Sequence, residues 1–200
     1  MLRSTATAAI LALSATGAMA DPATYTLDPS HSQILFSYDH LGFSTTYGMF
    51  SGFEGEIQFD EDDPAASSVS VSMPVTEMFT GWEARDAHFL SEDFFNAIAD
   101  GQPIDPERNM VTFESTSIEV TGDETANITG NLTMNGITQE VVLDTSLNGM
   151  GPNPINQTPT IGFDATTTIK RSDFGVGAFA PAVSDEVEVQ ISLEAMQPEA

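Results

Sequence analysis

Cysteine is absent from the 200 residues of this chain, and only 5 of them are lysine or arginine, against 30 aspartate or glutamate. The first absence excludes a thiol nucleophile, a thiolate metal site and a disulfide framework. The second leaves no cationic stripe to neutralise phosphates, which excludes nucleic-acid binding and electrostatic docking to an anionic membrane. Catalytic signatures are missing too: the sequence has no G-x-S-x-G elbow, no H-E-x-x-H helix and no glycine-rich phosphate loop. No apolar run is long enough for a transmembrane helix. What is present argues for a folded core rather than disorder. Apolar residues make up 40% of the chain, with 13 phenylalanines, despite a formal net charge of −25. The length suits one domain.

The first twenty residues read as an address. Arg3 supplies a positive charge, Ala6 to Ala15 form a short apolar run, and Ala18-Met19-Ala20 is an A-x-A cleavage site before Asp21-Pro22. The expectation is a signal peptide over 1–20, cleaved after Ala20, and a mature domain over 21–200 exported to the periplasm.

The mature chain alternates apolar and polar residues, the mark of half-buried strands. Ile34, Phe36, Tyr38 and His40 fall on one face, as do Phe53, Gly55, Ile57 and Phe59, then Val69, Val71, Met73 and Val75. Val111 and Phe113 begin a strand whose parity flips by Ile118 and Val120, which predicts a bulge or bend near Ser115–Ser117. Ile128, Gly130, Leu132 and Met134 lead into Asn135-Gly136, a strong hairpin signal, and Val141 and Leu143 follow. Phe163, Ala165, Thr167 and Ile169 form the next stripe, and Val187 to Leu193 the last. Turns are expected at Glu61–Pro64, Thr121–Glu124 and Asn148–Pro159. Between Glu83 and Asn96 the apolar spacing turns helical, with Ser91 as the cap of a second short helical turn. The predicted class is all-β: about eight antiparallel strands with a short helical insertion, a closed or nearly closed barrel rather than a sandwich. Its inward stripe is either a solid core or the wall of an apolar cavity.

Polar chemistry is sparse. His31 and His40 lie nine residues apart, on opposite faces of one continuous strand, which disfavours a three-histidine metal site with His88. Asp28-Pro29-Ser30-His31-Ser32 reads as a turn before it reads as a triad. Arg85 is either a surface partner of Asp86 or an arginine held by carboxylates near a cavity mouth, ordering an aromatic lid. Asp173 either pairs with Arg171 or caps the turn after Lys170.

Ordered landmarks run along nearly the whole mature chain. They are Tyr25-Thr26-Leu27-Asp28-Pro29-Ser30-His31-Ser32, His40-Leu41-Gly42, Gly48-Met49-Phe50 and Arg85-Asp86-Ala87-His88-Phe89-Leu90, then Phe94-Phe95. Gly130-Asn131-Leu132-Thr133-Met134-Asn135-Gly136-Ile137-Thr138 and Arg171-Ser172-Asp173-Phe174-Gly175 complete the set. In these the chain resembles the YceI family of exported, lipocalin-like proteins. The resemblance implies an extended eight-stranded antiparallel barrel around a long apolar cavity. It also implies a polyisoprenoid ligand, such as a quinone or quinone precursor, and a homodimer in some members. Two stretches depart from the family pattern: Asn96–Asn109 is longer than the usual link, and Gln139-Glu140 replaces basic and proline residues.

The expected function is therefore a periplasmic carrier of a polyprenyl lipid, without catalysis and without a cofactor beyond the bound lipid. Phe36, Tyr38, Phe53, Phe59, Phe113 and Phe163 are expected to line the tunnel, with His40 on the same stripe. Phe89, Phe94 and Phe95 would form the lid, ordered by Arg85 and His88 or meeting a head group there. Two alternatives stand beside it: a scavenger of assorted amphiphiles, and a barrel hydrolase or isomerase using His31, His40 or His88 with Asp28 or Asp86.

Overall fold

The computed structural model describes residues 22–98 and 103–198. The expected signal peptide, its cleavage site and residues 99–102 of the long link lie outside the described residues.

Eleven strand segments build the wall. They are β1 (Ala23–Leu27), β2 (Gln33–His40), β3 (Ser44–Phe50), β4 (Glu54–Phe59), β5 (Ser68–Pro74) and β6 (Met78–Phe79). After an insertion come β7 (Met110–Val120), β8 (Thr125–Met134), β9 (Ile137–Pro152), β10 (Pro159–Lys170) and β11 (Glu186–Met196). Register reduces the eleven to eight staves. The first half of β11 pairs with β2, from Glu188 opposite Ser37 to Ser192 opposite Gln33. Its last residues pair with β1, Ala195 opposite Leu27. β1 and β2 are thus one stave interrupted at residues 28–32. In the same way β3 and β4 form a second stave, and β5 and β6 a third, because β2–β3–β6 and β1–β4–β5 are each hydrogen-bonded in that order. The result is a closed antiparallel barrel of eight staves in meander order.

The alternation dictates this wall, because successive side chains of a strand point to opposite faces. Tight turns close the hairpins. Asn135 and Gly136 both adopt positive φ (54° and 72°), the twist-matched turn that joins β8 to β9. Leu41 and Gly42 do the same between β2 and β3 (61° and 74°), where the Asp39 carboxylate accepts the Gly42 N–H at 2.7 Å. The parity flip in β7 is a bulge: Ser115 and Ser117 pair with adjacent residues of β8, and Thr116 is the extra residue.

Four local expectations need correction. Phe53 lies in the break between β3 and β4 rather than within a strand, and Val75 opens a short 3-10 turn after β5. The turn expected over Asn148–Pro159 is confined to residues 153–158, since β9 continues to Pro152 and pairs with β10 beyond a second bulge. The short turn expected after Ser91 is present: Ser91 ends α1 (Glu83–Leu90), its hydroxyl donating to the His88 carbonyl and accepting the Asp93 N–H, and residues 92–95 form a turn closed by the Phe94 N–H on the Ser91 carbonyl. His31 and His40 do not share one continuous strand, because His31 falls in the break between β1 and β2.

The insertion sits where the wall is incomplete. β7 starts opposite Pro74, so β6 has no strand on its outer side. That end of the barrel is covered by α1, by the turn that buries Phe95 and Ala97, and by α2 (Pro106–Asn109), whose first N–H groups are capped by Asp105. No helix among the described residues is long and apolar enough to cross a membrane.

Candidate functional site: an apolar cavity along the barrel axis

The interior is hollow. Val75, Ile161 and Phe174 are sealed from every side. Other inward residues, among them Ile34, Phe59, Val71, Leu132, Phe163 and Leu193, keep accessible surface because they face a cavity of about 960 Å³. Its wall runs from Pro64, Ser67 and Gly122 at one end to Trp82, His88 and Phe179 at the other. Strand side chains supply most of it, helix and loop residues the two ends, and the greater part is aliphatic or aromatic.

Phe36, Tyr38, His40, Phe53, Phe59, Phe113 and Phe163 all stand on this wall. Phe59 meets Phe163 edge-on across the lumen at 6.0 Å between centroids, and Phe36 tilts against Phe50 at 5.4 Å. Two glycines make room for the rings. A Cβ on Gly48 would stand 2.2 Å from the Phe36 ring, and one on Gly130 would stand 2.4 Å from that of Phe113. Each phenylalanine therefore lies flat on bare backbone, leaving the lumen open.

Arg85, His88, Phe89, Phe94 and Phe95 close the α1 end. Phe89 packs edge-on against both Tyr38 of the wall (6.2 Å) and Phe94 (4.9 Å), tying the helix to the barrel through aromatic contacts. Arg85 is held by Thr80 rather than by carboxylates directly. Its guanidinium donates to the Thr80 hydroxyl (2.9 Å) and carbonyl (2.6 Å), while the Asp86 carboxylate accepts both the Thr80 N–H (2.9 Å) and its hydroxyl. Thr80 is the hub through which the two charges meet, and the arginine leans over the Trp82 ring at 5.9 Å. His88 is bound to Asp93 at 2.7 Å and sets its ring edge on Phe94.

A second arginine secures the same end from below. Arg171, 7% exposed, donates to the carbonyls of Val176, Ala178, Val183 and Ser184 at 2.7–2.9 Å. It thereby folds the whole 171–185 loop around one guanidinium. Burial pulls its pKa down from the usual arginine value, an effect that nearby Asp185 opposes. The expected Arg171–Asp173 pair does not form. Asp185 is the carboxylate that closes this loop, taking the Ser172 N–H and hydroxyl at 2.9 and 2.6 Å, and Ser172 holds its pKa down.

The histidines do not assemble. His31 sits on the outer surface at the β1–β2 break, while His40 and His88 lie at the α1 end. The His31 Nδ1 faces Asp28 at 2.7 Å and the Ser30 hydroxyl at 3.0 Å, so serine and carboxylate share one ring nitrogen, the wrong geometry for a triad. Ser32 is engaged elsewhere, donating to the Glu194 carbonyl at 3.3 Å. The hydrogen bond to Asp28 raises the His31 pKa, aided by the charges of Asp28 and Glu194, and His31 with Ser30 lowers that of Asp28.

Known proteins resemble this chain in sequence and in fold. A family model for the YceI-like domain matches residues 25–195. The chain belongs to the YceI-like family. Protein YceI of Escherichia coli O157:H7 is 39% identical over 193 residues, covering 96% of this chain and 95% of that one. A UPF0312 protein of Ectopseudomonas mendocina is 37% identical over 199 residues, covering 98% and 100%. Among solved structures, Burkholderia cenocepacia BcnA superposes with a TM-score of 0.72 at 25% identity, over 84% of this chain and 98% of that chain. A polyisoprenoid-binding domain from Saccharophagus degradans, implicated in plant cell wall breakdown, shares the fold with a TM-score of 0.62 at 15% identity, over 87% and 98%. The landmarks that carried the YceI resemblance fall at structural pivots of the present barrel: the break at Asp28–Ser32, the Gly48 platform, the α1 lid and the Arg171 loop.

Proposed function

We propose that this YceI-like protein holds a single polyisoprenoid chain, such as the tail of a quinone or a quinone precursor, and carries it through the periplasm without chemistry. The observation that supports this most directly is the shape and lining of the cavity. Strands of 10 to 12 residues, tilted by about 40°, cover about 25–30 Å of barrel axis, and the cavity wall reaches both ends. An elongated hydrocarbon-walled space suits an extended chain better than a compact metabolite. Burying on the order of 500 Å² of apolar ligand at about 25 cal/mol per Å² yields about 12 kcal/mol before the flexible chain is ordered. The name of the Saccharophagus neighbour points to the same ligand class. The scattered histidines and the engaged polar groups at the lid support binding over catalysis. Export rests on the A-x-A leader of residues 1–20.

Mass spectrometry of an organic extract of the natively purified protein tests this reading. A prenyl lipid as the main species is expected, with delipidated protein taking it up again. An extract of unrelated amphiphiles, or delipidated protein that ignores prenyl quinones, overturns it.

A further inference from the structure

The exposed aromatic side chains gather at one end of the barrel, although Ile155 in the opposite turns is also exposed. Among the described residues the exposed aromatics are Phe43 (90%), Tyr47 (65%), Phe79 (60%), Trp82 (63%) and Phe179 (58%). All five belong to the β2–β3 hairpin, the β6–α1 connection or the 171–185 loop, which is the α1 half of the barrel. The turns at the opposite end, 60–67, 121–124 and 153–158, carry no aromatic residue. The described basic residues follow the same division: Arg85, Arg108, Lys170 and Arg171 all stand at the α1 end, while Glu61, Asp62, Asp63, Asp123 and Glu124 occupy the other.

We propose that this aromatic rim docks on the surface of a zwitterionic phospholipid bilayer, so that the cavity mouth opens into the acyl region. Continuity of surface is the first reason. Leu41, Trp82 and Phe179 belong both to the exposed rim and to the cavity wall, so apolar surface runs unbroken from the lumen to the outside. Phe43 is the most exposed of the five, and it stands on the tight turn formed by the left-handed Leu41 and Gly42. Tryptophan and phenylalanine at such a rim match the headgroup–acyl boundary.

Charge selects among the surfaces that would cover it. Asp39, Glu83, Asp86, Glu92, Asp93, Asp173 and Asp185 surround the four basic residues, so the rim has no net attraction for anionic lipid. A second copy would bring two chains of net charge −25 together through the same acidic surroundings. Zwitterionic headgroups avoid both penalties, offering ammonium to the carboxylates and phosphate to Arg85 and Lys170. The use of this contact, passing a chain between membrane and barrel without crossing water, rests on the proposed prenyl cargo; the docking does not.

Trp82 is the sole tryptophan of the chain and reports on the rim directly. Full-length mature protein is mixed with phosphatidylcholine vesicles, with and without brominated acyl chains. Trp82 emission is expected to shift to the blue and to be quenched by bromine, equally at low salt and at 0.5 M. Phe43→Ser and Phe79→Ser, neither of which lines the cavity, are each expected to weaken partition about tenfold while delipidated protein still takes up its chain. Unchanged Trp82 emission at saturating vesicles overturns the proposal. So does binding that needs anionic lipid and vanishes with salt, or a concentration-dependent blue shift without vesicles, which would mark a second copy. In the unsubstituted protein, absent docking with intact chain uptake refutes the rim alone, whereas absent uptake with intact docking refutes the carrier reading alone.

Discussion

Replacing Gly48 by alanine probes whether an open lumen is what the glycine maintains. The new Cβ would stand 2.2, 2.6 and 2.9 Å from three atoms of the Phe36 ring, where carbon–carbon contact needs about 3.5–4.0 Å. Gly48 and Phe36 are register partners on adjacent staves, so the backbone on neither side is free to retreat. The ring must swing by about 1.5 Å, and the lumen is the open side. Overpacking of this kind costs about 1–3 kcal/mol, or roughly 2–10 °C in Tm for a domain of this size. With cargo in place the lumen is no longer free, so the loaded protein suffers more than the empty one and affinity falls about tenfold or more. The assay is thermal unfolding of delipidated protein with and without a prenyl quinone, together with equilibrium uptake. The double variant G48A/F36L removes the ring and is expected to recover most of the lost affinity. Unchanged uptake by G48A, or no recovery in the double variant, would refute the idea that glycine platforms keep the lumen clear.

Three further outcomes follow from the loops and the outer surface. Arg171→Met strands four carbonyls around an apolar side chain and is expected to cost about 3–5 kcal/mol in urea unfolding; a loss under 1 kcal/mol would show that the 171–185 loop holds without it. Thr80→Val keeps the shape and the backbone bonds but removes the hydroxyl that joins Arg85 to Asp86, so cargo release should accelerate about tenfold with little change in Tm; an unaltered off-rate would remove the Thr80 hydroxyl from the lid. The Asp28–His31 pair has a pH signature. The raised His31 pKa contributes stability below about 6.5 that is lost as pH climbs through the folded value. The lowered Asp28 pKa contributes above about 3.9 and is lost as pH falls through its own folded value. His31→Gln should therefore flatten the decline of the urea midpoint above pH 6.5, and parallel profiles for the two proteins would contradict the pairing.

Much of the barrel was legible because period-two alternation is a local property of each strand. Even the Thr116 bulge announced itself, since Phe113 and Ile118 cannot face one lumen without an extra residue. The stave breaks were not legible in the same way. Asp28-Pro29-Ser30 does interrupt the strand as expected, yet composition alone cannot distinguish a hairpin from a pause after which the chain resumes its direction. At Asn148–Gly151 the glycine and asparagine content predicts a turn, but pairing with β10 overrides propensity. The wall residues followed from parity. Gly48, Trp82 and Phe179 did not, because their importance lies in what a distant segment places against them. Arg171 was noticed, with Asp173 as one candidate partner, but its true partners were not legible: a guanidinium that collects four backbone carbonyls leaves no signature in residue types. Thr80 went unnoticed for the same reason.

The aligned interruptions give the barrel a mechanical character. β7 to β11 form continuous ladders, whereas residues 28–32, 51–53 and 75–77 break three neighbouring staves at one level. A tube riveted along one side and jointed along the other bends about its continuous side. The upper storey of β2, β3 and β6, which carries the lid contacts of Tyr38, is hinged to the lower storey of β1, β4 and β5 through short irregular links. The β2–β11 pairing and the two hydrogen bonds between Asp39 and Ser184 tie the upper storey to the continuous side of the wall. Three interruptions at one level thus divide the ladder into two storeys on one side and leave it undivided between β7 and β10.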